Sequence, residues 1–187
     1  MLKIGLTGGI ACGKSTVLAL FKENNAETID CDDIVGELYS RKEVSAEIEK
    51  KFGTADKKEL SEIVFSDSAK RKQLEEILHP LVRSELEQRI QALEKRGCKI
   101  VVVDVPLLFE AGWQGIFDKT VAVKCLPGQQ LARLKKKGFS ETNALDRISS
   151  QLPIDEKIIK ADYSIDNSRS IDFAEDQILR LLRNLNA

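Results

Sequence analysis

The residues best suited to chemistry in this sequence form one glycine-rich stretch, Gly8-Gly9-Ile10-Ala11-Cys12-Gly13-Lys14-Ser15. The stretch fits the pattern G-x-x-x-x-G-K-[ST], in which backbone N–H groups surround phosphate oxygens. In that arrangement we expect Lys14 to reach the β- and γ-phosphates of a nucleotide and the hydroxyl of Ser15 to ligate Mg²⁺. The stretch therefore predicts a binding site for a nucleoside triphosphate.

The flanking residues predict the elements that such a loop needs. Residues 2–6 have the pattern of a short buried strand, and residues 14–24 have the pattern of a helix with one apolar face. A helix N-terminus favours a bound anion because its dipole is positive there. Gly8 and Gly13 can adopt backbone angles that a side chain would forbid. A strand, a turn and a helix start thus form the predicted anion site.

Three acidic residues, Asp30, Asp32 and Asp33, follow a second predicted strand at residues 27–30. Asp is a favoured N-cap, so one interpretation is that an acid caps the next helix. In parallel α/β sheets ligands bind beyond the carboxyl ends of the strands, so the other interpretation is a catalytic carboxylate near the phosphate loop. We expect one acid to cap and another to act on substrate, and periodicity does not choose between them.

The clearest strand, residues 99–104, ends in Asp104. Its apolar run suits a central parallel strand that is buried on both faces. An acid at this point resembles the Walker-B carboxylate near Mg²⁺, although Asp also favours turns at strand ends. The phosphate loop favours the first interpretation, so we predict that Asp104 lies near Mg²⁺.

Later elements complete the predicted nucleotide site. Residues 119–125 and 161–165 predict two further strands, and residues 171–185 predict a closing amphipathic helix. A helical segment between these strands is rich in cations: Arg133, Lys135, Lys136, Lys137 and Arg147. A charge run is usually a solvated helix face. A transferring phosphoryl group needs positive charge around its oxygens, so we favour a mobile lid that closes over the nucleotide.

The block at residues 41–96 is charged and helical in pattern, with no strand apparent. Its apolar residues recur at spacings of three and four. Pro80 lies within that stripe, so we expect a break or kink near His79, and we expect Gly97 to end the helix. His79 is the only histidine of the sequence. A lone histidine is more often structural than catalytic.

Composition limits the class of protein. A chain of 187 residues with 42% hydrophobic residues suits one globular domain with subdomains, and a net charge of −1 argues against a nucleic-acid or membrane-surface binder. No apolar run approaches a membrane-spanning length, and we see no signal peptide. The cysteines lack C-x-x-C spacing, which predicts reduced thiols in a cytoplasmic protein: Cys12, Cys31, Cys98 and Cys125.

The alternation of strands and helices predicts a doubly wound α/β fold: a five-stranded parallel sheet with a helical substrate-binding insertion and a helical lid. Two functional classes fit a phosphate loop, namely a small-molecule kinase and a switch or motor that hydrolyses a nucleotide. The sequence has no Asn-Lys-x-Asp guanine signature, and a larger ATPase would need more domains than 187 residues allow. The insertion and the basic segment favour the kinase.

Several motifs in one order resemble those of the dephospho-coenzyme A kinase family, over nearly the whole chain. The resembling segments are the phosphate loop (residues 5–15), Ile29-Asp30-Cys31-Asp32, Leu78-His79-Pro80-Leu81-Val82-Arg83, and Asp104-Val105-Pro106-Leu107-Leu108-Phe109-Glu110. The family's lid is resembled by Gln130, Arg133, Leu134, Ala144, Arg147 and Gln151, and its adenine-side loop by Ala161, Asp162 and Asn167. After the phosphate loop, no single motif is specific for the family. The order and spacing of all the motifs together are specific for it.

The resemblance implies a reaction in which ATP phosphorylates the ribose 3′-hydroxyl of dephospho-coenzyme A, giving coenzyme A and ADP. It implies a nucleotide-binding core (1–31, 97–127 and 158–187), an acceptor domain (32–96) and a lid (128–157). The alternative is another small-molecule kinase with a nucleoside or nucleotide acceptor. We expect no nucleic-acid or membrane partner, and a monomer or weak homo-oligomer.

The resemblance also implies roles for individual residues. Catalysis would fall to Lys14, Asp32 as the base, Arg133 and Arg147. ATP would be bound by Gly8, Gly9, Ala11, Cys12, Gly13, Lys14, Ser15, Thr16 and Asn167. The acceptor would be bound by Thr7, Asp32, His79, Arg83, Pro106 and Leu107, and Mg²⁺ by Ser15 and Asp104. We then expect Asp33 to be the helix cap.

The sequence departs from the family's pattern at four positions. Ala11 and Cys12 stand where Gly and Ser are usual, Lys137 where Arg is common, and Arg169 where Gly is usual. Lys137 would replace a bidentate phosphate contact with a point charge. A helix N-terminus and a nearby lysine should lower the pKa of Cys12 and make it the most readily alkylated thiol. The alternative is a small loop residue whose side chain points into the core.

Overall fold

The computed structural model describes residues 1–185, apart from the side chains of residues 65 and 66. In this part of the chain the strands are β1 (Leu2–Gly8), β2 (Glu27–Asp30), β3 (Ile100–Asp104), β4 (Lys119–Lys124) and β5 (Tyr163–Asp166). The helices are α1 (Lys14–Glu23), α2 (Cys31–Tyr39), α3 (Lys42–Phe52), α4 (Lys57–Ser66), α5 (Ser68–Lys95), α6 (Pro127–Lys136), α7 (Glu141–Ser149), α8 (Ile154–Lys160) and α9 (Ile171–Asn184).

The chain divides into two compact units. Residues Met1–Ile29 and the chain from Leu93 onward form one of them, here called the sheet unit. Residues Asp30–Ala92 form the other, here called the helical unit. Among the described residues, no helix is both long and apolar enough to span a membrane.

The sheet has the strand order β2-β3-β1-β4-β5. β1 pairs in parallel with β3, where Leu6 lies opposite Asp104, and with β4, where Gly8 lies opposite Val123. The strand order therefore reverses beside β1. In such sheets ligands bind beyond the carboxyl ends of the strands at this point of reversal. The predicted doubly wound, five-stranded parallel sheet is confirmed.

The strands of the sheet unit contain runs of apolar residues because they lie in its buried core. All five residues of β3 are buried, as expected for a parallel strand covered on both faces. Ile4 of β1, Val121 of β4, Phe21 of α1 and Ile178 of α9 belong to one buried apolar cluster. This packing holds the carboxyl ends of the strands, from which the phosphate loop and Asp104 extend.

The helical unit has its own small core, and its first helix has a different N-cap from the one predicted. Val44, Ile48, Leu60 and Leu78 pack together as its buried cluster. Asp30 is the N-cap of α2, because its side chain accepts a hydrogen bond from the backbone N–H of the second helical residue at 2.8 Å. The expectation that Asp33 caps this helix is wrong, because Asp33 lies within the first turn of α2 and not before it.

A break or a kink was expected near His79. Helix α5 runs unbroken through Pro80, so the break is wrong, and the kink stays a prediction. A proline in a helix interior costs about 3 kcal/mol. The buried stripe of Leu78, Val82, Leu86 and Ile90 continues on both sides of the proline and offsets that cost. The helix ends as predicted: Gly97 has a φ of 78°, and the N–H of Cys98 donates to the carbonyl of Leu93, as in a Schellman motif.

Candidate active site

The phosphate loop joins β1 to α1 and turns through two residues with positive φ. Gly13, the N-cap of α1, has a φ of 88°, and Ala11 has a φ of 58°. A left-handed conformation costs an alanine about 1–2 kcal/mol, which explains why glycine suits this position. The N-cap has no side chain, and the first turn of α1 contains no acidic residue. The positive end of the helix is thus not neutralised by a carboxylate of its own first turn.

Two glycines of the loop are required by close contacts. A Cβ on Gly13 would lie 2.1 Å from Nδ2 of Asn167, and a Cβ on Gly8 would lie 2.5 Å from the carbonyl oxygen of Val123. Both distances are too short for any side chain. The loop is therefore built against its neighbours in the sheet unit.

Three side chains from distant parts of the sequence bind consecutive carbonyl groups of the loop. The hydrogen bonds are Gln130 Nε2 to Ile10 O (2.9 Å), Arg133 Nη1 to Ala11 O (3.0 Å) and Asn167 Nδ2 to Cys12 O (2.8 Å). Gln130 and Asn167 are buried. Because each carbonyl is held from outside the loop, the backbone conformation of the loop is fixed.

The two predicted lid arginines make different contacts. Arg133 donates a second hydrogen bond, from Nη2 to the carbonyl of Asn167 at 3.3 Å, so its guanidinium joins the loop to the chain after β5. The guanidinium carbon of Arg147 lies 4.3 Å from the centre of the Phe139 ring, within cation–π range. The structure therefore brings Arg133 and Asn167 to the loop and stacks Arg147 on Phe139.

Lys14 and Asp104 meet at the ends of α1 and β3. Nζ of Lys14 lies 3.9 Å from Oδ1 of Asp104, with 14% and 7% of the two side chains exposed. Ser15, in the first turn of α1, is exposed. Among the described residues, no group of three His, Cys, Asp or Glu side chains could hold a metal ion. Mg²⁺ commonly binds through one or two protein oxygens, substrate phosphates and waters, so the donor pair Ser15 and Asp104 fits that ion.

Lys157 of α8 is fully buried beside the site and was not predicted from the sequence. Its Nζ donates to the carbonyl of Pro106 at 2.9 Å and lies 2.8 Å from Oε1 of Glu110. The hydroxyl of Thr7 donates to the same Pro106 carbonyl at 3.2 Å. Lys157 thus ties the segment after β3 to α8. No local pattern distinguishes this lysine from its exposed neighbours.

Burial lowers the pKa of Lys157, because a charged ammonium loses its hydration, and the hydrogen bond that this ammonium donates to Glu110 opposes that change. Oε1 of Glu110 also accepts a hydrogen bond from the N–H of Leu152 at 3.0 Å. A buried charge is retained only where a partner and hydrogen bonds compensate it. Glu110 is that partner here.

Cys12 is fully buried, and its Sγ lies 3.3 Å from Sγ of Cys125. The alternative of a side chain that points into the core is confirmed, and the expectation of a readily alkylated thiol is not supported. The hydrogen bond from Cys125 lowers the pKa of Cys12 to about 7, against the effect of burial. The same hydrogen bond and burial raise the pKa of Cys125.

The predicted acceptor residues of the helical unit lie on two helices. Asp32 is exposed in the first turn of α2, and its N–H is held by the Asp30 side chain. His79 is half-buried on α5, and Arg83, one turn later, is exposed. Nε of Arg83 donates to Oε1 of Glu87 at 3.0 Å.

Comparisons with known proteins identify the family of this chain. The sequence model of a family described as dephospho-CoA kinase matches residues 2–172. A dephospho-CoA kinase from Bacillus cereus is 40% identical, with 98% of this chain and 96% of that protein covered. The match thus extends over both units.

Two solved structures are similar along the whole chain. A crystal structure of a Thermus thermophilus protein has a TM-score of 0.85 and 32% identity, covering 98% of this chain and 97% of that one. A dephospho-CoA kinase from Campylobacter jejuni has a TM-score of 0.71 and 29% identity, covering 99% and 98%. With a matching family model and a full-length relative at 40% identity, this chain belongs to the dephospho-CoA kinase family.

Proposed function

We propose that this protein transfers the γ-phosphoryl group of ATP to the ribose 3′-hydroxyl of dephospho-coenzyme A, giving coenzyme A and ADP, the last step of coenzyme A synthesis. As a member of its family, the chain is an ATP-using kinase with a small-molecule substrate. The observation that supports phosphoryl transfer from ATP is the phosphate loop with Lys14 beside Asp104. Membership of the family supports dephospho-coenzyme A as the acceptor. A fold alone would not specify a substrate.

On the nucleotide side, the loop holds the phosphates of ATP through its N–H groups and the N-terminus of α1. Its residues are Gly8, Gly9, Ala11, Cys12, Gly13, Lys14, Ser15 and Thr16. Lys14 neutralises charge on the transferring group, where positioning and electrostatics supply most of the rate. Arg133 and Arg147 add positive charge, and Asn167 binds on the adenine side. The hydrogen bonds of Gln130, Arg133 and Asn167 support these roles because they fix the loop.

Mg²⁺ would be held by Ser15 and Asp104. When bound it offsets the negative charge of the phosphates. Asp104 is buried at the end of β3, so its carboxylate is fixed before the nucleotide arrives.

On the acceptor side, Asp32 accepts the proton of the 3′-hydroxyl. Its backbone is held by the Asp30 cap, which supports a defined position for an otherwise exposed carboxylate. Thr7, His79, Arg83, Pro106 and Leu107 bind the acceptor. The hydrogen bonds that Thr7 and Lys157 donate to the Pro106 carbonyl support a fixed segment at residues 106–107. We propose that the enzyme works in the cytoplasm as a monomer or weak homo-oligomer.

The test is ADP release with MgATP over a panel of acceptors: dephospho-coenzyme A, adenosine, uridine, nucleoside monophosphates, shikimate and water alone. We expect dephospho-coenzyme A to be preferred by a wide margin, and its 3′-deoxy analogue to be inert. Equal turnover of a nucleoside or nucleotide would favour the other small-molecule kinases. Dominant hydrolysis without acceptor would favour a nucleotide switch.

A further inference from the structure

Two thiols lie side by side beneath the phosphate loop, and the proposed reaction uses neither sulfur. The S–H of Cys125 donates to Sγ of Cys12 over 3.3 Å. The two cysteines are 113 residues apart in sequence, so this contact comes from the fold. Cys12 precedes Lys14 in the loop, and Cys125 directly follows β4.

We propose that Cys12 and Cys125 form a reversible disulfide on exposure to a peroxide, which makes the phosphate loop a site of oxidative modification. Full burial withholds Cys12 from a bulky alkylating reagent, whereas hydrogen peroxide is close to water in size and can approach past Cys125, which touches Cys12 and keeps 7% of its surface exposed. Cys98 belongs to the same unit and serves as a comparison. Among the described residues, no contact between Cys98 and another thiol is seen.

The reaction balances with hydrogen peroxide as the oxidant. The thiolate of Cys12 attacks one peroxide oxygen and breaks the O–O bond, giving a sulfenic acid and a hydroxide that leaves as water with the proton of Cys125. The thiolate of Cys125 then attacks the sulfur of Cys12 and forms the S–S bond, and the second hydroxide leaves as water with the proton first lost by Cys12. Two thiols are oxidised, and one peroxide is reduced to two waters.

The chemistry of the pair assigns the attacking sulfur. The hydrogen bond from Cys125 and the charge of Lys14 both stabilise a thiolate on Cys12 and lower its pKa. The pKa of Cys125 is raised, so this thiol keeps its proton and donates it. A sulfenic acid on Cys12 would therefore form with a resolving thiol already in contact.

The disulfide should disturb the loop. The sulfurs must approach from 3.3 Å to the bonded distance of about 2.05 Å. Asn167 holds the loop backbone at the carbonyl of Cys12. This part of the backbone would move when the two sulfurs approach each other. A displacement of about 1 Å in a positioned site can lower the rate roughly a hundredfold.

The primary test is intact-mass and non-reducing peptide analysis of the full chain after treatment with hydrogen peroxide. We expect a loss of two hydrogen masses, a cross-linked peptide pair containing Cys12 and Cys125, and full reversal by dithiothreitol. A Cys98→Ser variant should form the same bond, and a Cys125→Ser variant should form none. Four free thiols after treatment, or a bond that involves Cys31 or Cys98 instead, would overturn the proposal.

The mass analysis needs only the wild-type protein. A loss of stability in the Cys125→Ser variant therefore does not affect it. ATP binding by calorimetry is the second measurement. We expect the oxidised protein to bind ATP at least tenfold more weakly and dithiothreitol to restore binding. Unchanged binding by the cross-linked protein would overturn the effect on the loop. If the reduced protein fails to bind ATP, the proposed function fails instead, and the mass result is unaffected.

Discussion

Every buried polar side chain among the described residues lies in the sheet unit, whereas the polar side chains of the helical unit keep contact with solvent. The buried polar and charged residues among the described side chains are Thr7, Asp104, Thr120, Gln130, Lys157 and Asn167, all in the sheet unit. In the helical unit, Arg41 pairs with Glu85 at 2.6 Å, with 43% and 20% of the side chains exposed. Arg83 and Glu87 are 54% and 47% exposed.

The difference has an energetic consequence. A buried donor or acceptor that loses its partner costs about 1–3 kcal/mol, whereas an exposed ion pair contributes about 0–1 kcal/mol. Many of the buried side chains of the sheet unit bind backbone carbonyls beside the phosphate loop, so they fix positions. Substitutions there should change both turnover and stability. Substitutions of the exposed polar residues of the helical unit should change stability little, and a large effect on turnover there would mark contact with substrate.

Lys14→Ala should have the largest effect. It removes the charge beside the transferring phosphoryl group, and loss of such a donor costs about 3–4 kcal/mol, or roughly a hundred- to thousandfold in kcat. Steady-state ADP release measures the loss, and Lys22→Ala at the other end of α1 is the matched control. A Lys14→Ala enzyme within threefold of wild type would refute the assignment.

Asp32→Asn should be the exception to this contrast between the units, because Asp32 is an exposed residue of the helical unit and its substitution should still have a large effect. General-base catalysis is worth about 10²–10⁴-fold, so kcat should fall at least about a hundredfold while the apparent affinity for ATP changes little. Asp33→Asn is the matched control and should be nearly neutral, since Asp30 provides the cap. If Asp33→Asn shows the large loss instead, the base is one residue later.

Glu110→Gln should destabilise the sheet unit by about 2–3 kcal/mol, because it leaves the buried ammonium of Lys157 without its counter-charge. The figure lies below that of a fully buried pair, since 23% of the Glu110 side chain is exposed. Lys157→Met should cost less, because it leaves a carboxylate that water can reach. Chemical unfolding measures both variants, and equal losses would contradict the asymmetry.

The same pair predicts a pH dependence. The pKa of Lys157 is lowered in the folded protein. In the unfolded chain a lysine has a pKa of about 10.4, so the folded protein releases this proton at a lower pH than the unfolded chain does. Between these two pKa values the unfolded chain binds more protons, and the contribution of Lys157 to stability therefore rises with pH. The loss caused by Glu110→Gln should shrink as the pH rises through that window. A loss that is constant from pH 7 to pH 10 would argue against a charged Lys157.

Local patterns in the sequence were enough to predict the phosphate loop, the strands and the position of Asp104 at the end of β3, because each depends on neighbours within a few residues. The contacts of Gln130 and Asn167 with the loop span 120 and 155 residues, so no local signal encodes them. The same holds for Lys157 and Pro106. The cap was misassigned because several acids compete at one helix start. The break at Pro80 was predicted from propensity, which burial along α5 overrides.

Arg133→Met tests whether side chains outside the loop set its affinity for ATP. The variant loses hydrogen bonds to the carbonyls of Ala11 and Asn167, so we expect ATP to bind about tenfold more weakly, with a smaller change in kcat. Lys135→Met is the matched control, because Lys135 is exposed and pairs with Glu141. A large fall in kcat with unchanged ATP binding would assign Arg133 to the phosphoryl group alone.

Arg83→Gln and Glu87→Gln break the same exposed ion pair of α5 and should have the smallest effect on stability. Pairs of this kind at i and i+4 contribute about 0.3–0.5 kcal/mol, so both variants should unfold within about 0.5 kcal/mol of wild type. Only Arg83→Gln removes a cation that would bind the phosphates of the acceptor. Hydrogen bonds to charged groups are worth about 1.5–3 kcal/mol, so its KM for dephospho-coenzyme A should rise about tenfold or more. Glu87→Gln should leave that KM unchanged or lower it, because Arg83 is released from its partner. Equal KM values for the two variants would mean that Arg83 is a solvated surface residue and does not bind the acceptor. The exposed polar residues of α5 would then have small effects on both stability and turnover, as the contrast between the units predicts.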